Sequence, residues 1–275
     1  MGNLWKGFKE HRTFRFTSLL VILLIALVVL APVIAPYNPL EAVMKDANQA
    51  PSMAHLFGTD KLGRDVLSRI LYGGAYSLSS VLALVAIIFC VGTFLGLVAG
   101  YFGGLIDTVI MRVADMMISF PGVILAIAIA GIMGGSLVNA MIALTAVTWT
   151  KYARLSRSMV LKIRKRDFVD AAIVSGGTSS HILWTHIMPN VVPILVITAV
   201  SDIGAMMMEL AGLSFLGFGS QPPAPEWGLM LNEGRQQLQT APWLMVFPGL
   251  AILISVVIFN LWGDALRDVL DPRDQ

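Results

Sequence analysis

Six stretches of this chain run for about twenty residues with little charge, and that repetition fixes the solvent in which it can fold. A helix that crosses a bilayer needs about 20 mostly apolar residues. The plainest run is Phe16 to Ala35, which holds no Asp, Glu, Lys or Arg and stops at Pro36. A soluble fold has no surface on which to place six such runs. Only 13% of the 275 residues are charged while 56% are hydrophobic, against about 25% charge in an ordinary soluble domain. Disorder requires the opposite balance. A net charge of +2 excludes the strongly basic surface of a nucleic-acid binder. Cys90 is the single cysteine, so neither an intrachain disulfide nor a cysteine metal cluster can form. It lies within an apolar run and reads as a small packed hydrophobe.

The first run is longer than the 7–15-residue core of a signal peptide and reads as an uncleaved span. Residues 37–74 are polar, and Leu62, Val66, Arg69 and Ile70 suggest a short amphipathic helix on the membrane surface. The second span is read at Ser77 to Gly100. Gly92, Gly96 and Gly100 recur every fourth residue on one helix face, a stripe that lets another backbone approach closely in lipid. The third, Asp107 to Met133, contains Pro121 and is expected to kink there. The fourth is Leu137 to Leu155, with Lys151 and Arg154 reaching toward headgroups. The fifth is Pro189 to Gly212, and the sixth is Trp243 to Trp262, followed by a short polar tail from Gly263. With the N-terminus inside, 14 of the 19 Lys and Arg residues fall on the inner side. That asymmetry favours both termini in the cytoplasm.

No phosphate-binding loop, zinc pair or nucleophile elbow is present. Gly176-Gly177-Thr178-Ser179-Ser180 lacks a following lysine and reads as a helix stop followed by an N-cap. His181 and His186 are five residues apart, which does not place them on one helix face, and no metal site is expected. The segment between the fourth and fifth spans carries the clearest local signal. Ala171 and Ala172 allow close helix packing, and Gly176 allows the left-handed turn that ends the helix. A second short helix carries Ile182, Leu183 and Trp184, and Pro189 opens the next span. An apolar helix with an aromatic tip exposed to cytoplasm needs a partner groove; the alternative is a helix resting on lipid.

This segment resembles the EAA loop of ABC-transporter permeases, with Asp170 in place of Glu, then Ala171, Ala172, Gly176 and, 13 residues later, Pro189. Met188 stands where the family has Leu. The resemblance runs along nearly the whole chain. The Leu30-Ala31-Pro32 region, Gly58-Thr59-Asp60 through Ser68-Arg69, Ser214 through Gly219, Glu226-Trp227-Gly228 and Asn260 through Arg273 are similar to the dipeptide/oligopeptide/nickel branch, C-type subunit. It implies a type I importer permease, an all-α transmembrane fold of about six spans forming one domain over 1–275. Within it lie a cytoplasmic N-terminus (1–15), a first span (16–36), an extracytoplasmic segment (37–76), a core (77–266) with a cytoplasmic coupling loop (156–188), and a tail (267–275). It implies a non-catalytic subunit of the inner membrane that pairs with a homologous B-type permease. Asp170, Ala171, Ala172, Gly176, Ile182, Trp184 and Pro189 would form the contact with one of two ATPase subunits. ATP and Mg would be bound by those subunits and no cofactor by this chain, and an extracytoplasmic binding protein would deliver cargo.

Met206 and Met207 near Asp202, with Met111-Arg112-Val113-Ala114-Asp115 and the Glu226 to Arg235 region, resemble nickel-type members; peptide cargo is the alternative. Asp202, Met206 and Glu209 follow i, i+4, i+7 on one stripe. An acid near the bilayer centre costs about 2.5–3.5 kcal/mol, so the stripe is expected to face the pathway or the partner permease, or else to hold a hydrogen bond within the bundle. A secondary transporter and an intramembrane enzyme are the rivals from other classes. The first is disfavoured by the coupling-type loop and the lack of a visible inverted repeat. The second is disfavoured by the lack of clustered catalytic groups.

Overall fold

The computed structural model describes residues 11–270, so the expectations for residues 1–10 and 271–275 lie outside the described residues. Ten labelled helices carry the fold. They are α1 Arg12–Val29, α2 Val66–Phe102, α3 Gly104–Ile118, α4 Gly122–Met133, α5 Leu137–Ile163, α6 Asp167–Val174, α7 Ser179–Ile182, α8 Met188–Phe215, α9 Trp227–Gly234 and α10 Trp243–Leu270. A helical turn at Ala31–Ile34 follows α1. No strand occurs among the described residues beyond one isolated bridge between Thr59 and Asp65. The helices satisfy the backbone polar groups internally, as lipid demands.

Among the described residues, four segments are long and apolar enough to cross a membrane: Arg12–Val29, Val66–Phe102, Ser179–Phe215 and Trp243–Leu270. The pair α3 and α4 is a fifth if it counts as one broken span, because the two are bent by 92°. The expected kink at Pro121 is therefore a break. Proline disfavours helical backbone in the residue before it, and the Pro121 carbonyl accepts from Leu125 N at 3.1 Å as α4 begins. Helix α5 has the length for a further crossing, with 27 residues at about 1.5 Å each. Lys151, Arg154, Arg157 and Lys162 dilute its hydropathy.

The expected surface helix at residues 61–72 is also corrected. Residues from Val66 onward are the first turns of the 37-residue α2, which continues without interruption into the second span. The Asp65 carboxylate starts that helix by accepting from Ser68 N at 2.8 Å and Ser68 Oγ at 2.7 Å. The last span likewise outruns its expected end. Ala265, Leu266 and Val269 form an apolar stripe that is buried with Phe14 of α1, so the charged tail remains helical to Leu270. Trp262 Nε1 donates to Ser18 Oγ at 3.1 Å beside that cluster.

The chain divides into two compact units. One comprises the chain up to Ala83, Ala130–Ile142 and the chain from Val200 onward; the other comprises Leu84–Ile129 and Ala143–Ala199. In the second unit the glycine stripe of α2 meets α5. A Cβ at Gly92 would lie 2.5 Å from the Trp149 carbonyl oxygen and from Tyr152 Cβ, one at Gly96 would strike the Ala153 carbonyl, and one at Gly100 would lie 2.8 Å from Val160 Cβ. Ser156 Oγ donates to the Thr93 carbonyl at 3.2 Å across the same contact.

Candidate functional site

The segment from Asp167 to Pro189 is built as helix, left-handed glycine, helix. Asp167 and Asp170 lie in the first turn of α6, where carboxylates oppose the helix dipole favourably. The helix ends at Val174, and Gly176 takes φ +80°. There Gly176 N donates to the Ile173 carbonyl and Gly177 N to the Ala172 carbonyl, each at 3.0 Å. Thr178 Oγ1 then accepts from His181 N at 3.3 Å to start α7. A π-helical turn, Leu183–Ile187, joins α7 to α8 without a break. Pro189 thus lies just inside α8 rather than opening an isolated span, and the wider turn before it accommodates a ring with no N–H to give.

Phe168, Ile173, Val174 and Trp184 are exposed, Val174 at 87%. Asp170 and Ala171 are exposed and Ala172 is half-buried. Ile182 departs from expectation: it is 1% exposed and Leu183 6%. Both pack inward, and Ile182 lies under the glycine turn, 3.3 Å from where a Cβ on Gly177 would stand. The outward apolar face is therefore carried by Phe168 at the start of α6, Ile173 and Val174 at its end, and Trp184, while Ile182 anchors the motif.

Asp202, Met206 and Glu209 lie on one stripe of α8, with Met206 buried and the two acids half-buried. Neither acid is free of interactions. Beside them α8 and α10 approach closely, since Gly204 faces the Asn260 side chain and a Cβ on Gly263 would lie 2.9 Å from Ser201 Cα.

A second constellation was not anticipated from the sequence. Arg64 and Arg69 are 3% and 1% exposed. Asp60 Oδ2 accepts from Arg64 Nε at 2.6 Å and from Arg69 Nη1 at 2.5 Å. Glu233 Oε2, on α9, accepts from Arg69 Nη2 at 2.8 Å and Arg64 Nη2 at 3.2 Å. Two acids and two guanidiniums close a ring. Asp60 Oδ1 also accepts from the backbone N–H groups of Leu62 and Arg64, at 2.9 and 3.0 Å. Gly63, at φ +74°, makes this turn possible, because a Cβ there would overlap the Val43 carbonyl. The i, i+4 pairing of Asp60 with Arg64 was visible in the sequence, but Glu233, more than 160 residues away, was not.

Helix α9 is held at its other end by Glu226. Its carboxylate accepts from Gly228 N and Leu229 N, both at 2.8 Å, which caps the helix. Ser77 Oγ donates to it at 3.4 Å and accepts from Trp227 N at 3.1 Å. Trp227 Nε1 donates to the Ile70 carbonyl at 2.9 Å. Burial pushes the Glu226 carboxyl above the usual carboxylate range, against the lowering effect of these donors. Among the described residues, no group of three His, Cys, Asp or Glu is placed to hold a metal ion.

Comparison with known proteins agrees with this architecture. Residues 92–273 match the family of binding-protein-dependent transport system inner membrane components. Residues 1–51 match the N-terminal transmembrane domain of oligopeptide transport permease C. The dipeptide transport system permease protein DppC of Alkalihalophilus pseudofirmus is 40% identical, covering 98% of this chain and 88% of that protein. The glutathione transport system permease protein GsiD of Pectobacterium atrosepticum is 41% identical, covering 98% and 90%. A chain in the inward-facing structure of the MetNI methionine ABC transporter aligns with a TM-score of 0.52 over 72% of this chain and 96% of its own, at 19% identity. That last likeness speaks to fold alone.

Proposed function

The chain belongs to the binding-protein-dependent transport system inner membrane components, and from that premise we propose how its parts divide the work. It is a multi-pass inner-membrane permease subunit of an ABC importer in the peptide branch, a non-catalytic component. We infer that Asp167 to Pro189 is its lever. The observation that carries this is the pairing of a left-handed glycine turn with an apolar face, Phe168, Ile173, Val174 and Trp184, that no described part of the chain covers. Such a face needs a partner groove, and the partner is an ATPase subunit that binds ATP and Mg. Two of these serve the permease pair, one on each coupling loop.

The partner permease is a homologous B-type subunit, and the pathway lies between the two. Both termini are cytoplasmic, in keeping with the Lys and Arg asymmetry. A binding protein delivers cargo on the opposite side, to the segments on either side of the ring of Asp60, Arg64, Arg69 and Glu233. ATP binding draws the ATPases together and tilts the permeases between inward- and outward-facing states by rigid-body motion. Relatives named for dipeptides and glutathione support a short-peptide cargo over nickel. Asp202, Met206 and Glu209 are assigned to the pathway or the permease interface.

The test is Val174→Asp combined with Trp184→Ala in the assembled transporter. Cargo-stimulated ATP hydrolysis and uptake should both fall at least tenfold while the permease pair still assembles. Unchanged stimulation in an intact complex would remove the coupling assignment.

A further inference from the structure

Beside the start of α6 lies an open cleft of about 720 Å³, within the few hundred to about 1,000 Å³ of small-molecule sites. Met159, Ile163, Phe168 and Ile194 give it an apolar wall, and Asn190, Lys162 and Arg166 line it as well. Three neighbouring arginines, two on α5 and one just past its end, are already engaged. Arg154 pairs with Asp115 and Arg157 with Asp107, and Arg164 Nη1 donates to the Tyr101 carbonyl at 2.8 Å. Lys162 and Arg166 have no carboxylate within salt-bridge distance among the described residues. Asp167 also lines the cleft, so its charged lining is two cations against one acid.

We propose that this cleft binds an anionic phospholipid, with the phosphodiester held between Lys162 and Arg166 and the upper acyl chain laid on Met159, Ile163 and Ile194. A zwitterionic headgroup brings its own cation toward two others, whereas an anionic one leaves the phosphate charge to the protein. Basic pockets between transmembrane helices take anionic headgroups on these grounds, and the arginine supplies a forked donor for phosphate oxygens. The apolar wall is what makes the ligand a lipid rather than a free anion. Only the choice of leaflet rests on the proposed cytoplasmic placement of residues 156–188.

The assembled transporter, purified in mild detergent, is titrated with palmitoyl-oleoyl phosphatidylglycerol or with phosphatidylcholine of the same chains, and bound lipid is read by native mass spectrometry. Phosphatidylglycerol should bind about thirtyfold tighter, with Lys162→Gln and Arg166→Gln each losing about fivefold and the double variant nearly all of that preference. Lys165→Gln, an exposed lysine outside the cleft, should leave it unchanged, and millimolar inorganic phosphate should not displace the lipid. Should the double variant fail to assemble, amine labelling of Lys162 in the native chain serves instead, slowed by phosphatidylglycerol and not by phosphatidylcholine. Equal binding of the two lipids, an equal loss in Lys165→Gln, displacement by phosphate, or labelling of Lys162 that ignores headgroup charge would each overturn the proposal. Lipid retention is read without ATP, so its failure is separable from failure of the coupling reading.

Discussion

The ring that joins residues 60–69 to α9 and the segment from Lys165 to Pro189 each carry two acids and two Lys or Arg residues, yet they use them in opposite ways. In the ring every charge is answered: Asp60 and Glu233 each meet both Arg64 and Arg69, and both guanidiniums are buried. In the other segment Lys165, Arg166, Asp167 and Asp170 are exposed, and Phe168, Ile173, Val174 and Trp184 face outward. Buried ions are costly unless paired and hydrogen-bonded, so a closed ring marks a joint that stays shut. Exposed apolar groups on a short helix mark a surface completed by something else. The contrast separates a part that holds geometry from the part proposed to transmit it.

The sharpest way to break the contrast is to open the ring. Glu233→Ala leaves two buried guanidiniums with one acid and should cost about 3–5 kcal/mol of stability, read as a lowered Tm of the purified chain in detergent. A loss below 1 kcal/mol would mean the ring is not a structural joint. Next is Gly96→Val, which drives a branched side chain into the Ala153 carbonyl. Overpacking at such a contact costs about 1–3 kcal/mol, while Gly212→Ala, where nothing lies within 4 Å of a Cβ, should be nearly silent by the same measurement.

Gly176→Val sharpens the other side of the comparison. No atom lies within 4 Å of a Cβ there, so the cost is backbone strain alone, about 1–2 kcal/mol at a left-handed position. Uptake and stimulated ATP hydrolysis should separate by more than that stability loss accounts for, and Gly176→Asn, which tolerates that conformation better, should recover most of the coupling. Full coupling in Gly176→Val would show that the turn is not part of the lever.

The smallest expected effect is a pH slope from Glu226. Its carboxyl is raised by burial in the folded chain, so between the unfolded and folded values the native state binds more protons. Its contribution is therefore fully present below the unfolded value and lost as pH rises through the raised one. Denaturation followed across that window should show stability falling with rising pH, and Glu226→Gln, which keeps one acceptor for the cap, should flatten the slope. A wild-type profile flat through the window would mean that the capping donors hold the carboxylate ionised.

Much of this protein was legible because lipid leaves few options. Runs of about twenty apolar residues announce spans, spacing by four aligned Gly92, Gly96 and Gly100, and a glycine followed by hydroxyl residues foretold the turn at Gly176 and the cap at Thr178. What stayed hidden depends on partners distant in sequence. Glu233 could not be joined to Arg64 and Arg69 by any local period. The burial of Ile182 was not signalled by its spacing, and Pro121 signalled a bend between α3 and α4 but not its 92° size.

The sequence by itself determined the membrane class, the approximate spans and the helix–glycine–helix motif, because hydropathy and backbone conformation are local properties. Tertiary structure alone decided which charges are buried and paired, which apolar residues face outward, and where an amphipathic cleft opens beside Lys162 and Arg166. Those outcomes are set by the free energy of taking a group out of solvent, and that depends on what the rest of the chain brings next to it.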